Sequence, residues 1–112
     1  MYEGAIIKET LADELLLDYL EIEKVEIWKT SDITIKYWTM IFFRSGVADF
    51  PQRLAGTIID GWFADMKAGS IKYIVFKNKV LQYEIGNMDE KEKVLAYMRA
   101  IGIPDSQFNW EE

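Results

Sequence analysis

Carboxylates, lysines and aromatic rings carry most of the chemistry this sequence can offer, because it contains no histidine and no cysteine. Serine–histidine and cysteine–histidine nucleophile pairs are therefore excluded. Zinc sites built from imidazole or thiolate are excluded as well. No remaining side chain titrates near neutrality unperturbed, so acid–base catalysis would need a strongly shifted carboxylate, lysine or tyrosine.

Four groupings of the available residues stand out. The first is acidic: Asp13, Glu14 and Asp18, followed by Glu21, Glu23 and Glu26. Clustered carboxylates can hold a hard cation. The spacing matches no calcium loop, however, and charge runs are usually a solvated face, so no metal site is expected.

The second grouping is Trp62–Lys67, read as a strand. Its alternation sets Phe63, Asp65 and Lys67 on one face against Trp62, Ala64 and Met66 on the other. A carboxylate beside an aromatic ring can become a general acid through desolvation. The plainer reading pairs Asp65 or Lys67 with charges on neighbouring strands. No catalytic residue is assigned, and enzymatic activity is left open with the balance against it.

Third, Lys67, Lys72, Lys77 and Lys79 are interleaved with Tyr73, Phe76 and Tyr83. That pattern is shared with single-strand nucleic-acid binders, whose rings stack on bases. Lysines at turns and edges also keep strands from aggregating. A formal net charge of −6 disfavours phosphate binding, so nucleic acid is not an expected partner.

The fourth grouping is the aromatic surplus of four Trp, six Tyr and six Phe. Trp28 falls on the opposite strand face from Val25 and Ile27, and Trp38 shares a face with Met40 and Phe42. If no helix or tail covers them, these residues form an apolar patch of the kind that marks an interface or a ligand groove. The candidate binding residues are thus Trp28, Trp38, Met40, Phe42, Trp62, Asp65 and Lys67.

The elements that must position these residues follow from periodicity. A first strand is predicted at Glu3–Glu9. A short helix capped at Thr10 should run to Leu20. A strand follows over Glu21–Thr30, with a bulge near Glu23-Lys24 because Ile22 is out of phase with Val25. Ile33–Phe43 reads as a long strand, apolar on both faces and so covered on both sides in its second half. Asp49 and Pro51 open a helix over about 50–60 that Gly61 should end. A meander of Trp62–Lys67, Ile71–Lys77 and Val80–Ile85 comes next, with Asn78 taking positive φ in its second turn. The last helix opens at Asp89 with a stripe of Val94, Leu95, Met98 and Ile101, and closes on Gly102-Ile103-Pro104. The tail, with Phe108 and Trp110, is expected to pack back.

The resulting order, β-α-β-β-α-β-β-β-α, predicts an α+β fold: a single-layer, mostly antiparallel sheet of five or six strands with two main helices on one face. The 112 residues and 50% hydrophobic content suit one domain spanning 1–112. The charge is uneven. Residues 1–32 carry nine acids and three bases, residues 33–88 four and seven, and residues 89–112 six and three. No apolar run approaches the length of a membrane span. Met1-Tyr2-Glu3-Gly4 lacks a basic leader, and with no cysteine a cytoplasmic location is expected. No cofactor is expected, since phosphate-loop and dinucleotide fingerprints are absent.

The segments GAIIKETL, GWFADMK, YIVFKNKVLQY and AIGIPDSQFNW together resemble a group of small uncharacterised proteins of bacteria and archaea. The resemblance spans most of the chain. Its motifs are structural, so it implies no activity, ligand or site residue.

The expectation is a non-enzymatic interaction domain, a homodimer joined through its aromatic sheet face, with another protein as a further potential partner. The alternatives are a small-ligand domain or enzyme with a carboxylate, lysine and tyrosine pocket around Asp65 and Lys67, and an acidic mimic of nucleic acid.

Overall fold

A computed structural model describes residues 1–31 and 36–107, together with Trp110 and Glu112. The first residues of the strand expected from Ile33, and Phe108 in the tail, lie outside the described residues. Six strands form one sheet: β1 (Tyr2–Ile7), β2 (Glu21–Lys29), β3 (Tyr37–Ser45), β4 (Phe63–Ala68), β5 (Ile71–Phe76) and β6 (Lys79–Glu84). Their spatial order is β2-β3-β1-β4-β5-β6, and every neighbouring pair is antiparallel. Two α-helices, α1 (Phe50–Ala55) and α2 (Met88–Ala100), complete an α+β fold.

The local sequence explains much of this. Strands β4, β5 and β6 turn back through Gly69-Ser70 and Lys77-Asn78, where Gly69 and Asn78 both adopt φ of +59°. The expected bulge in β2 lies between Ile22 and Lys24, and it brings Ile22 onto the same face as Val25 and Ile27. Gly4 sits where β1 crosses closest to β4. A Cβ there would fall 2.6 Å from the carbonyl oxygen of Asp65, so only glycine fits. Beyond Ile7 the β1 ladder stops, and Glu9 takes its place. Its carboxylate accepts the Thr39 N–H at 2.6 Å and the Thr39 hydroxyl at 2.7 Å. Burial alone would raise the Glu9 pKa, but these two bonds outweigh it and hold the carboxyl below its ordinary value.

Tertiary pairing corrects several local expectations. Thr10 does not cap a helix. It is buried, and its hydroxyl donates to the carbonyl of Ile7. Asp13 is the cap instead, accepting the Leu15 N–H for a 3₁₀ turn over Glu14–Tyr19. Helix α1 ends at Ala55, with Gly56, Thr57 and Ile58 N–H still bonding back to Gln52 and Leu54, and the chain then leaves to pair with the N-terminal segment: Ala12 N–H donates to Thr57, and Ile59 N–H donates to Thr10. Gly61 therefore serves the turn into β4 (φ +86°) rather than the helix end. Helix α2 begins two residues early, capped by Asn87, whose side chain accepts the Glu90 N–H. Gly102 (φ +89°) and Ile103 close it, with Ile103 N–H donating to Met98. Ile101, expected in the buried stripe, is half-exposed.

The helices lie on opposite faces of the sheet, not on one. Phe50 and Leu54 of α1 pack with Leu16, Ile6, Phe43, Met66 and Val75. Val94, Leu95 and Met98 of α2 pack with Ile74, Phe76 and Tyr83. Ile74 and Val75 are adjacent in β5, so their side chains point to opposite sides. The first face is already filled by α1 and the 3₁₀ turn, leaving the second to α2.

Candidate functional site

On the second face, α2 reaches only half the sheet. It packs on β5 and β6 and leaves β2, β3 and parts of β1 and β4 open to the groove. Strand pairing aligns Trp28, Trp38, Met40, Ile7, Ala5 and Asp65 on that face. Trp62, just before β4, rises beside them and meets Trp38 edge-on, with ring centroids 5.7 Å apart at 83°. Ser106 and Gln107, from a short 3₁₀ turn after α2, stand on the same side. The result is a groove of about 790 Å³, within the range of ligand sites. Sheet side chains form its floor, and Trp28 and Trp62 line it.

Of the seven candidates, Trp28, Trp38, Met40, Trp62 and Asp65 line the groove. Phe42 is not among the described lining residues; its ring lies beneath the Lys24 ammonium at 4.5 Å. Lys67 also stands apart, donating to the backbone carbonyl of Glu112 at 3.4 Å. Trp28 is half-exposed at the rim, its indole N–H donating to Glu26 at 3.1 Å. The indole N–H of Trp38 is buried and has no partner among the described residues. The full two-sided cover expected for β3 is thus a correction: Ile41 and Phe43 are buried under α1, whereas Trp38, Met40 and Phe42 are half-buried in or beside the groove.

Asp65 closes one end of the groove and pairs with a charge on the neighbouring strand, as the plainer reading of the sequence expects, but the network continues beyond that pair. The Asp65 carboxylate accepts from the Lys72 ammonium at 2.7 Å. Lys72 is 3% exposed, although it was grouped with surface lysines. Tyr83, fully buried, accepts the Trp110 indole N–H at 2.9 Å and donates to the Glu112 carboxylate. Burial, followed by the nearby carboxylates, pushes the Tyr83 hydroxyl up to about 12. Glu112 is held below its ordinary range, chiefly by the Lys91 ammonium at 2.7 Å and also by Tyr83. The signal for Lys72 was present in the strand phase, since K-x-I-x-F places it on the same side as Ile74 and Phe76. The wall of Ser106 and Gln107 carried no such signal.

The other groupings disperse. Lys67 and Lys72 are engaged as above, and Lys79 lies over the Tyr97 ring at 4.7 Å. Among the N-terminal acids, Asp13 is a cap and Glu14 pairs with Lys8 at 3.5 Å. Among the described residues, no three potential metal ligands gather. No helix among them is long and apolar enough to cross a membrane.

Comparison with protein-family models, curated proteins and solved structures returns no match.

Proposed function

We propose that this chain is a binding domain rather than an enzyme, and that its groove takes a flat, mainly apolar ligand carrying a hydrogen-bond acceptor. The observation that carries this reading is the convergence of Trp28, Trp38 and Trp62 on one concave site of ligand size. Tryptophan presents a large rigid surface at little entropic cost, and ring–ring contacts add about 0.5–1.5 kcal/mol each beyond area burial. The unpartnered Trp38 N–H supports an acceptor on the ligand, because a buried donor left unmade costs about 1–3 kcal/mol. Asp65, the carboxylate at the site, is engaged by Lys72, which favours a structural over an acid–base role. A groove between two standing indoles also suits a small ligand better than it suits a flat twin, so self-association through this face is the weaker reading.

The test is a titration with quinoline, a flat apolar ring system with one acceptor nitrogen, followed by amide and indole N–H NMR shifts. Saturable shifts confined to the three tryptophans, Ile7 and Met40 are expected. Trp28→Ala, at the half-exposed rim, should weaken binding by about fivefold, the equivalent of one lost ring contact. Shifts scattered over the surface without saturation, or an unchanged affinity in Trp28→Ala, would overturn the reading.

A further inference from the structure

Strand β2 is the one long sheet edge that neither helix reaches. Nine residues long, it is exposed on both faces along most of its length. Ile22, Val25 and Ile27 are 51%, 50% and 63% exposed, and the bulge gathers all three on the face away from Trp28. Such an edge is a template for another strand.

Its unpaired backbone groups can be identified. Thr30 N–H donates to the Lys36 carbonyl, which makes Thr30 and Lys36 a hydrogen-bonded pair. Antiparallel pairs alternate, so Trp28, Glu26 and Lys24 also turn their backbone groups toward β3. Lys29, Ile27 and Val25 then turn theirs outward, as does Ile22 beyond the bulge. Outward backbone and exposed apolar side chains thus belong to the same residues.

We infer that the occupant of this edge is a second copy of the chain, docked β2 to β2, antiparallel, about a two-fold axis at Val25. Charge selects this register. With Val25 opposite Val25, Lys24 of each copy stands opposite Glu26 of the other on the Trp28 face. On the opposite face, Ile27 of each copy lies beside Ile22 of the other, since the inserted Glu23 brings Ile22 into step. Moving the axis to Glu26 would oppose two glutamates directly, which is destabilising. Lys24 and Glu26 already pair within one chain at 3.6 Å, so docking extends that pair into a four-charge array. The outcome is one continuous twelve-stranded sheet, closed by symmetry. This contact borders the groove, because Trp28 and Lys29 of β2 line it, but it is argued from the strand edge and does not depend on the groove's ligand.

The experiment is sedimentation velocity across a range of concentrations on the full chain and four variants. The unmodified chain should dimerise reversibly. Val25→Pro removes an N–H that β3 does not use, so the fold, checked by circular dichroism, should persist while the dimer is lost. Glu26→Lys should weaken the dimer at least tenfold, and Lys24→Glu should do likewise. The Lys24→Glu/Glu26→Lys double variant, which restores both pairings in reversed sense, should recover it. A concentration-independent monomer would overturn the inference. So would a dimer that Glu26→Lys leaves intact, an outcome that stands even if Val25→Pro fails to fold.

Discussion

The two halves of the second sheet face, one beneath α2 and one left open as a groove, end in opposite states. On β5 and β6, Lys72 and Tyr83 are 3% and 1% exposed, closed in by α2, Trp110 and Glu112. On β2 and β3, Trp28, Trp38 and Met40 are bulkier and at least as apolar, yet remain accessible as a groove. The polar side chains are the buried ones, and the indoles are the ones left open. What separates the halves is reach: a 13-residue helix, about 20 Å long, packs on β5 and β6 and stops short of β3. Burial of a polar group is tolerable only where partners converge, and Asp65, Trp110 and Glu112 supply them.

The sharpest way to break this contrast is to unbalance the closed half. Asp65→Asn leaves the Lys72 ammonium with its nearest anion removed, and the expected loss is about 3 kcal/mol in urea unfolding. Lys72→Met, which fills similar volume and leaves a carboxylate that can still reach water at the groove end, should cost less than about 1 kcal/mol. Were both variants equally mild, the closed half would not be a dry compartment, and the difference between the halves would be one of degree.

How much of this was legible in the sequence depends on which forces act locally. The hairpin turns at Gly69 and Asn78, the bulge after Ile22 and the Gly102-Ile103 helix end were all readable, because each is decided within a few residues. The opposed faces of Trp28 and Val25 followed from strand alternation alone. A short helical element before Leu20 was readable, but its start lies at Asp13 and not at Thr10, because Leu11 bridges to Ile58, a contact between residues far apart in sequence. The same kind of distant contact hid the placement of α1 and α2 on opposite faces. It also hid the tail's role: Trp110 was expected to pack back, but its bond to Tyr83, and the anchoring of Glu112 on Lys91, depend on sheet and helix arriving together. For the site, the tryptophans were visible as a surplus, whereas the groove exists only because α2 stops short of β3.

A smaller, pH-dependent effect sharpens the comparison from the alkaline side. The folded Tyr83 hydroxyl is raised to about 12, against 10.0 in the unfolded chain. A raised folded pKa contributes stability that is fully present below the unfolded value and is lost as pH rises through the folded one. Stability should therefore fall between about pH 10 and pH 12, and Tyr83→Phe should flatten that decline while costing about 1 kcal/mol at neutral pH for the lost hydrogen bonds. An unchanged alkaline limb in the variant would mean that the hydroxyl is not held in the closed half.

The smallest effect is expected where neither helix reaches. Ile27 in β2 is 63% exposed, so Ile27→Thr keeps a β-branched residue in an edge strand and removes little buried surface. At concentrations dilute enough to keep the chain monomeric, its urea midpoint should move by no more than about 0.5 kcal/mol. Ile74→Ala in β5, fully buried against Val94 and Met98, should cost about 2–5 kcal/mol under the same conditions. The two substitutions lie on one sheet, at residues of the same type, and differ in whether anything covers them. A loss at Ile27 approaching that at Ile74 would show that β2 is covered within a single chain, and would remove the edge available to a second copy.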